Sequence, residues 1–306
     1  MKTLQLQKIL KNPPVQMDEA KHTYPAENGE LYTGCTTISE AWGKDFLGPW
    51  YAKEMFLEAT ARIGEIGLAL QDNPDPSGAI KILEECKGAA QRKGNKAKES
   101  GKLAHDWIEQ ALAVKMSGGT KIAGMPEDPE AQTSVKSFIE WANQHEISWL
   151  ASEEIVGSTE YKVGGKLDAI AVVDGITYLI DFKTSSQMSE SYLLQCAGYD
   201  LMLREMGLQV MGYMVLRLPK DGSPAETLTI TDQTDMQFFR DTFIKQREAH
   251  RFYVYMANRF KEVKAGDRFA KMKVDAPEET KVKKDFLKDK PKKKTKVKKT
   301  KKTSKK

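Results

Sequence analysis

Two aspartates and a lysine near the middle of the chain have the residue types and the spacing of a centre for phosphodiester hydrolysis. Asp168 and Asp181 lie on either side of the dipeptide Asp174-Gly175, and Lys183 follows two residues after Asp181. An Asp-Gly pair between two strand-like runs is a strong signal for a two-residue hairpin turn. Counting away from that turn places Asp168 directly opposite Asp181, with Cβ atoms about 5 Å apart.

Two carboxylates in such positions repel each other, and a divalent cation would compensate for the repulsion. Mg²⁺ prefers oxygen ligands and usually takes one or two carboxylates together with waters and phosphate oxygens. Lys183 lies on the same strand face as Asp181, where it can position or deprotonate an attacking water or hold the scissile phosphate. The same spacing has a second interpretation, a surface ladder of salt bridges, because Lys166 would lie opposite Lys183.

Five elements in chain order extend this pattern. They are GKLAHDWIE at 101–109, SEEIV at 152–156, GKLD at 165–168, IDFKTS at 180–185, and Gln195 with Tyr199. Together they resemble the RecB-like branch of the PD-(D/E)xK nuclease superfamily. Residues 22–24 and 35–38, with Leu47 and Trp50, look like the start of phage-encoded exonucleases of that branch. The mitochondrial genome maintenance exonuclease and the Cas4 core are also similar, and the resemblance covers about residues 20–220.

The resemblance implies metal ligands in addition to Asp168 and Asp181. His105 would be one of them, because a neutral imidazole binds Mn²⁺ and other divalent ions. Glu109, one helical turn later, would support His105 or remain solvated. A strand glutamate would be another ligand, and of Glu153 and Glu154, which point to opposite faces, the spacing favours Glu153. The implied cofactor is Mg²⁺ or Mn²⁺.

The remaining site candidates are implied as substrate contacts. Gln195 and Tyr199 share a helix face and would approach the substrate strand or brace the active centre. Thr184 and Ser185 would contact phosphate or cap the helix that follows. Three tryptophans are candidates for stacking on unpaired bases or for core packing: Trp42, Trp50 and Trp107.

The apolar periodicity and the turn signals predict an α/β fold with a central mixed sheet flanked by helices, and the resemblance implies that this sheet is restriction-endonuclease-like. Strands are expected over 147–157, 162–173, 176–184, 209–218 and 225–231, after a small N-terminal hairpin over 22–38. Helices are expected over 45–70, 79–116 with a break near Gly88 or Gly94, 128–145, 189–206 and 233–261. The domain division expected is 1–78 for the N-terminal hairpin and helices, 79–262 for the nuclease core, and 263–306 for a linker and a Lys-rich tail.

The net charge of +5 conceals a sharp division along the chain. Residues 281–306 hold 15 lysines against two aspartates, a local charge of +13, and the remainder carries −8. Such a tail cannot bury apolar surface and is expected to be disordered. It would attract nucleic acid phosphates non-specifically, or act as a solubilising or protein-docking arm.

Composition also excludes several classes of site. The three cysteines are far apart and form no CxxC pair, so neither zinc nor the iron–sulfur cluster of Cas4-type relatives is expected. A phosphate-binding glycine–lysine loop is absent, so we expect no nucleotide cofactor and no ATP-driven motor. Because there is neither a membrane-spanning apolar run nor a signal peptide, a cytoplasmic protein without a membrane partner is expected.

The leading hypothesis is a metal-dependent DNA exonuclease that acts in phage-type replication, recombination or DNA processing, in the host cytoplasm if phage-encoded. DNA ends, single- or double-stranded, are the expected partner, and a recombination or single-strand annealing protein is a candidate second partner. Two alternatives remain open. One is a structure-directed endonuclease of the same superfamily, and the other is a non-catalytic DNA-binding protein with a relict site.

Overall fold

The computed structural model describes residues 3–21, 23–41, 47–71 and 75–264. The helices are α1 (Thr3–Leu10), α2 (Cys35–Ser39), α3 (Leu47–Ala61), α4 (Ile63–Gln71), α5 (Ser77–Cys86), α6 (Ala89–Met116), α7 (Pro129–Asn143), α8 (Ser191–Glu205) and α9 (Gln233–Lys264). The strands are β1 (Tyr24–Pro25), β2 (Leu31–Gly34), β3 (Ile147–Ser158), β4 (Val163–Val173), β5 (Ile176–Lys183), β6 (Gly212–Arg217) and β7 (Glu226–Ile230).

The strands form one seven-stranded mixed sheet, which confirms the predicted fold class. Its order is β1-β2-β4-β5-β6-β7, and β3 pairs with β4. The β2–β4 and β5–β6 pairs are parallel, and the other pairs are antiparallel. Helices cover both faces of the sheet, so its central strands are buried almost throughout.

The predicted β4–β5 hairpin is present with the predicted turn. Asp174 and Gly175 both have positive φ, 49° and 86°, as the two central residues of a type I′ turn require. The register follows the predicted count from the turn as far as the pair Ala169 and Ile180. The sequence therefore predicts both the existence of this hairpin and the alignment of most of it.

Two apolar clusters lie on the two faces of the sheet. The α8 face, packed against α8 and the first turns of α9, includes Leu179, Tyr213 and Val215. The α6 face, packed against α6 and α7, includes Ile180, Phe182 and Met214. Side chains of β5 and β6 therefore alternate between the faces as the period of two predicts, and Asp181 and Lys183 share the α8 side with Leu179.

The N-terminal region departs from the prediction in three places, one of which is a break at Arg62 that divides the single helix expected over 45–70 into α3 and α4. Helix α1, where no element is expected from the sequence, buries Leu6 and Leu10 in the α8-face cluster. The expected hairpin ends at Gly34, and Cys35–Ser39 form helix α2 instead of continuing the strand. Cys35 and Ile38 lie one helical turn apart and are both buried in the same cluster, so tertiary packing outweighs the β-branched composition of this segment.

The chain divides into two compact units, one from Met1 to Val254 and a second from Tyr255 to Lys306. The first unit includes residues on both sides of the boundary expected at 78/79. The described part of the second unit is the end of α9, and the Lys-rich tail lies outside the described residues. Within the described residues no helix is long and apolar enough to span a bilayer.

Candidate active site

The site forms where one edge of β4 has no neighbouring strand. β3 occupies one edge of β4 along its length. On the other edge β2 pairs with Val163 and Gly164, and β5 pairs from Ala169 onward. Within the described chain, residues 165–168 thus have no strand partner on that edge. Their backbone is left for side chains to satisfy, and this open edge lies beside α6 and α8.

Three potential metal ligands meet at this edge. One donor atom each from His105, Glu153 and Asp168 lies within 4.8 Å of the other two. The residues come from α6, β3 and β4, so three separate elements position them. One imidazole nitrogen with two carboxylate oxygens suits Mg²⁺ or Mn²⁺. Burial lowers the pKa of His105, which keeps the imidazole neutral at pH 7 and able to act as a ligand.

Glu153 reaches the cluster because β3 is irregular. The register between β3 and β4 shifts by one residue between Trp149 and Ala151. Without that bulge Ser152 would lie opposite Asp168. Because of the bulge, Glu153 occupies the position opposite Asp168 instead. Glu153 also has a φ of 56°, a left-handed conformation that costs about 1–3 kcal/mol for a residue other than glycine. Glu154, its neighbour, is outside the cluster; burial raises the pKa of its carboxyl, and the charge of Lys11 opposes that rise.

Asp168 does not face Asp181 as a regular ladder predicts. The paired register ends at Ala169 and Ile180, one pair short. Leu167 packs on the α8 face and Ala169 on the α6 face, so the alternation of β4 breaks at Asp168. Its Oδ2 instead accepts a hydrogen bond of 2.7 Å from the Phe182 N–H. Asp181 is consequently not among the residues whose donors lie within 4.8 Å of one another.

Asp181 and Lys183 form a buried ion pair beside the cluster. Lys183 Nζ lies 2.6 Å from Asp181 Oδ2, so the ammonium is the partner of that oxygen. The other oxygen, Oδ1, has no hydrogen-bond partner among the described residues, and Asp181 as a whole is 1% exposed. Burial, reinforced by Asp168 and opposed by Lys183, raises the pKa of Asp181 to about 7. A buried carboxylate left this way is a group that a bound cation would stabilise.

Lys183 remains a cation at this position. Burial lowers the pKa of its ammonium, but the charges of Asp181 and Asp168 outweigh burial and raise the pKa above its ordinary value. The ammonium also donates to Gln195 Oε1 at 3.3 Å and lies 5.1 Å from the centre of the Tyr192 ring. A protonated lysine can hold a phosphate or orient a water, but it cannot accept a proton.

Gln195 and Tyr199 connect the lysine to the open edge of β4. Gln195 Nε2 donates to the Tyr199 hydroxyl at 3.1 Å, and that hydroxyl donates to the Lys166 carbonyl at 2.9 Å. A Cβ on Gly165 would lie 2.5 Å from the Tyr199 ring, so only glycine admits the ring there. Both side chains on α8 are buried. Burial and these bonds favour bracing of the site over contact with substrate.

Lys166 and Glu109 complete the charged surroundings. Lys166 Nζ lies 2.6 Å from Glu153 and 3.9 Å from Glu109, so Glu109 approaches Lys166 rather than supporting His105. Burial and the charge of Asp168 raise the pKa of Glu153 to about 7, although Lys166 opposes them. Lys166 therefore pairs with Glu153, and Lys183 pairs with Asp181. The paired register of β4 and β5 ends before it reaches either lysine, so the salt-bridge ladder expected from the spacing does not form.

Thr184 and Ser185 follow directly after Lys183 but lie in different surroundings. A Cβ on Gly101 would lie 2.6 Å from Thr184 Oγ1, so the glycine four residues before His105 lets α6 approach the end of β5. Ser185 donates its hydroxyl to the Gln187 carbonyl within its own loop. The hydroxyl that accepts from the first N–H of α8, that of Ser191, belongs to Ser189, so neither Thr184 nor Ser185 has the alternative capping role.

Lys220 belongs to the site region, although its sequence context indicates only a turn. Its Nζ donates to the Ala97 carbonyl of α6 at 2.5 Å. The signal that could have identified it is the parallel pairing of β5 with β6, which brings the residues after both strands to the same edge of the sheet. Of the tryptophans, Trp107 is buried and donates to two backbone carbonyls, Trp50 is partly exposed, and Trp42 lies outside the described residues.

Comparisons with known proteins add a weak structural likeness. No family model matches the chain, and no curated protein matches it. Among solved structures, the chain is similar to two crystal structures of the alkaline exonuclease LHK-Exo, one described as from Laribacter hongkongensis and one as a complex with dAMP. Each has 12% identity and a TM-score of 0.26 over 50% of this chain and 84% of that one. These low values leave the activity to be inferred from the site itself.

Proposed function

We propose that the chain is a metal-dependent deoxyribonuclease that hydrolyses phosphodiester bonds, acting as an exonuclease. The observation that carries the proposal is the convergence of His105, Glu153 and Asp168 within 4.8 Å on an open strand edge. The Asp181–Lys183 ion pair lies beside them. Three ligands of suitable chemistry next to a fixed cation match what hydrolysis of a phosphodiester requires.

Each residue would have a defined part in the reaction. His105, Glu153 and Asp168 would hold Mg²⁺ or Mn²⁺, and Asp181 would add its Oδ1, which otherwise has no hydrogen-bond partner among the described residues. A metal bound there supplies polarisation of the phosphoryl oxygen and acidification of water. Lys183 would hold a non-bridging oxygen of the scissile phosphate or orient the attacking water. Gln195 and Tyr199 would keep that ammonium in place.

The exonuclease mode and DNA as the substrate rest on the sequence resemblance and the charge distribution. The basic segment 281–306 suits a polyanion, and the resemblance is to nucleases that act at DNA ends. A role in phage-type recombination, replication or processing is part of the same proposal.

Cleavage assays test the proposal. End-labelled linear DNA and closed circular DNA, each single- and double-stranded, are incubated with Mg²⁺, Mn²⁺ or EDTA. We expect linear DNA to be degraded only with metal, and Asp168→Asn to lower the rate by at least about 100-fold because it removes a ligand charge. Asp174→Asn is the matched control, since it makes the same change in the same hairpin and Asn-Gly also suits the turn.

Each other outcome has a distinct meaning. Cutting of circles would replace the exonuclease mode with the structure-directed endonuclease alternative. DNA binding without cleavage under every metal condition would indicate a relict site. Cleavage that survives EDTA, or that Asp168→Asn leaves intact, would overturn the metal mechanism altogether.

A further inference from the structure

Helix α3 presents aromatic side chains that its own packing leaves partly exposed. None of its 15 residues is buried. Trp50 is partly exposed and Tyr51 is 42% exposed, and their rings meet edge to face with centroids 5.3 Å apart. Burying apolar rings is the usual contribution of such residues to folding, so this pair is available for a ligand.

Trp50 lies on the same face of α6 as the proposed metal ligand His105. Its Cη2 atom lies 3.7 Å from where a Cβ on Gly94 would be, so the indole rests on α6. Gly94, Lys98, Gly101 and His105 follow one another at spacings of four, three and four residues, and therefore form one stripe along α6. Along that stripe Trp50 lies about 16 Å from His105, from the helical rise of about 1.5 Å per residue.

Two lysines lie between the two ends of the stripe. Lys98 is on the stripe and Lys102 is next to it, both exposed. Within the described part of the chain, no ion pair involves either of them. Their neighbours differ, because Lys93 pairs with Glu54 and Lys96 approaches Glu130. Two ammonium groups without an ion-pair partner among the described residues thus lie between an aromatic pair and the cluster of His105.

We propose that α3 and the N-terminal half of α6 bind the single-stranded DNA that leads into the active centre. Trp50 and Tyr51 stack on bases, and Lys98 and Lys102 contact phosphates. The distance of about 16 Å corresponds to about five nucleotides at the stacked spacing of about 3.4 Å, and fewer in an extended strand. Single-stranded DNA is favoured over duplex because only unpaired bases offer their faces to aromatic rings. The inference rests on the proposed function for the His105 end.

Measurements of DNA binding in the absence of cleavage test this proposal. Fluorescence anisotropy in EDTA compares labelled oligothymidylates of about 12 nucleotides, a thymidine dinucleotide and a blunt duplex. We expect Trp50→Ala and Tyr51→Ala each to weaken binding of the long single strand about tenfold, and Lys98→Ala with Lys102→Ala to lower its salt dependence. Binding of the dinucleotide and of the duplex should change less than twofold. Matched controls are Lys115→Ala, on the same helix beyond His105, and Phe238→Ala, an exposed ring on α9.

The outcomes are decisive in both directions. Equal losses for single strand and duplex, or single-strand binding unchanged in both aromatic variants, would overturn the proposal. A shift in oligomeric state in Trp50→Ala without loss of DNA binding would show a protein contact instead. If Trp50→Ala does not fold, a 5-bromodeoxyuridine oligonucleotide is photo-crosslinked to the intact wild-type protein and the crosslinked residues are mapped. Crosslinks within 47–61 would support the proposal, and crosslinks only elsewhere would overturn it. Because DNA binding is measured in EDTA, where no cleavage is expected, this proposal can fail even if the proposed nuclease activity is confirmed, and the reverse also holds.

Discussion

At the residue scale, Glu153 shows most clearly how a site residue is kept at a cost to stability. It has a positive φ, and burial together with Asp168 raises the pKa of its carboxyl to about 7. Neither feature benefits the fold in the absence of a ligand. Residues held in unfavourable conformations and environments concentrate at functional sites, which agrees with the position of Glu153 in the metal cluster.

The raised pKa of Glu153 predicts that the stability of the fold depends on pH. The folded protein binds the Glu153 proton more tightly than the unfolded chain, whose pKa is near 4.5. Stability contributed by the protonated carboxyl is therefore present below about 4.5 and is lost as the pH rises through about 7. We expect Glu153→Gln, in EDTA, to gain stability over wild type between about pH 5 and about pH 8.

Urea unfolding across that pH range measures the difference in unfolding free energy. Glu154→Gln serves as a comparison: burial also raises the pKa of Glu154, but Lys11 opposes that rise and Asp168 adds nothing to it, so we expect a smaller gap for this variant. We expect the difference in unfolding free energy between Glu153→Gln and wild type to widen as the pH rises. A difference that stays constant or narrows would contradict the raised pKa of Glu153.

At the element scale, the motif glycines act by allowing close approach. Gly101 lets α6 reach Thr184 on the end of β5, and Gly165 lets the Tyr199 ring reach β4. Each glycine thus explains why two motifs distant in sequence occur together: the helix with His105 meets the strand with Lys183, and the open edge of β4 meets the brace on α8.

Substitution of Gly101 tests the α6 contact. A methyl group there meets Thr184 Oγ1, so we expect Gly101→Ala to destabilise the fold by about 1–3 kcal/mol. Gly94→Ala, on the same helix, meets Trp50 only at an ordinary contact distance and should be neutral or stabilising by up to about 1 kcal/mol. Thermal unfolding of both variants measures this.

The double variant Gly101→Ala with Thr184→Ala supplies the control. Removing the hydroxyl and methyl of Thr184 should recover most of the loss, because the clash is between these two residues. If the double variant is no more stable than Gly101→Ala alone, then the close approach of α6 to β5 is not the reason for the glycine.

The elements differ in how far the sequence predicts them. The Asp174-Gly175 turn fixes a local register, so the hairpin follows from a short stretch of chain. The bulge in β3 near Leu150 and the break of alternation at Asp168 arise from pairing and packing with remote segments. A regular count therefore predicts an Asp168–Asp181 pair that does not form, while it does bring Asp168 close enough to influence the pKa of Asp181.

At the scale of the whole molecule, the chain combines a body with a charge of −8 and a segment, 281–306, with a charge of +13. A net negative body repels nucleic acid at long range, and the basic segment can reverse that effect. This division follows from composition alone. The N-terminal helices α1 and α2 do not, because their place is decided by packing on the α8 face.

Deletion of 281–306 tests the role of this charge. We expect weaker DNA binding and a smaller dependence of the binding constant on salt between about 50 and about 200 mM, because fewer counterions are released. A full-length chain with the tail lysines changed to glutamine separates charge from length. Unchanged affinity and salt dependence in both proteins would assign the tail to solubility or protein docking.

The central claim is that the cluster of His105, Glu153 and Asp168 binds the metal used in cleavage. The most direct measurement is the Mn²⁺ concentration for half-maximal DNA cleavage by wild type, Glu153→Gln and Glu154→Gln. We predict a requirement at least about tenfold higher for Glu153→Gln and an unchanged requirement for Glu154→Gln. Equal midpoints for Glu153→Gln and wild type, or a larger shift for Glu154→Gln, would contradict it.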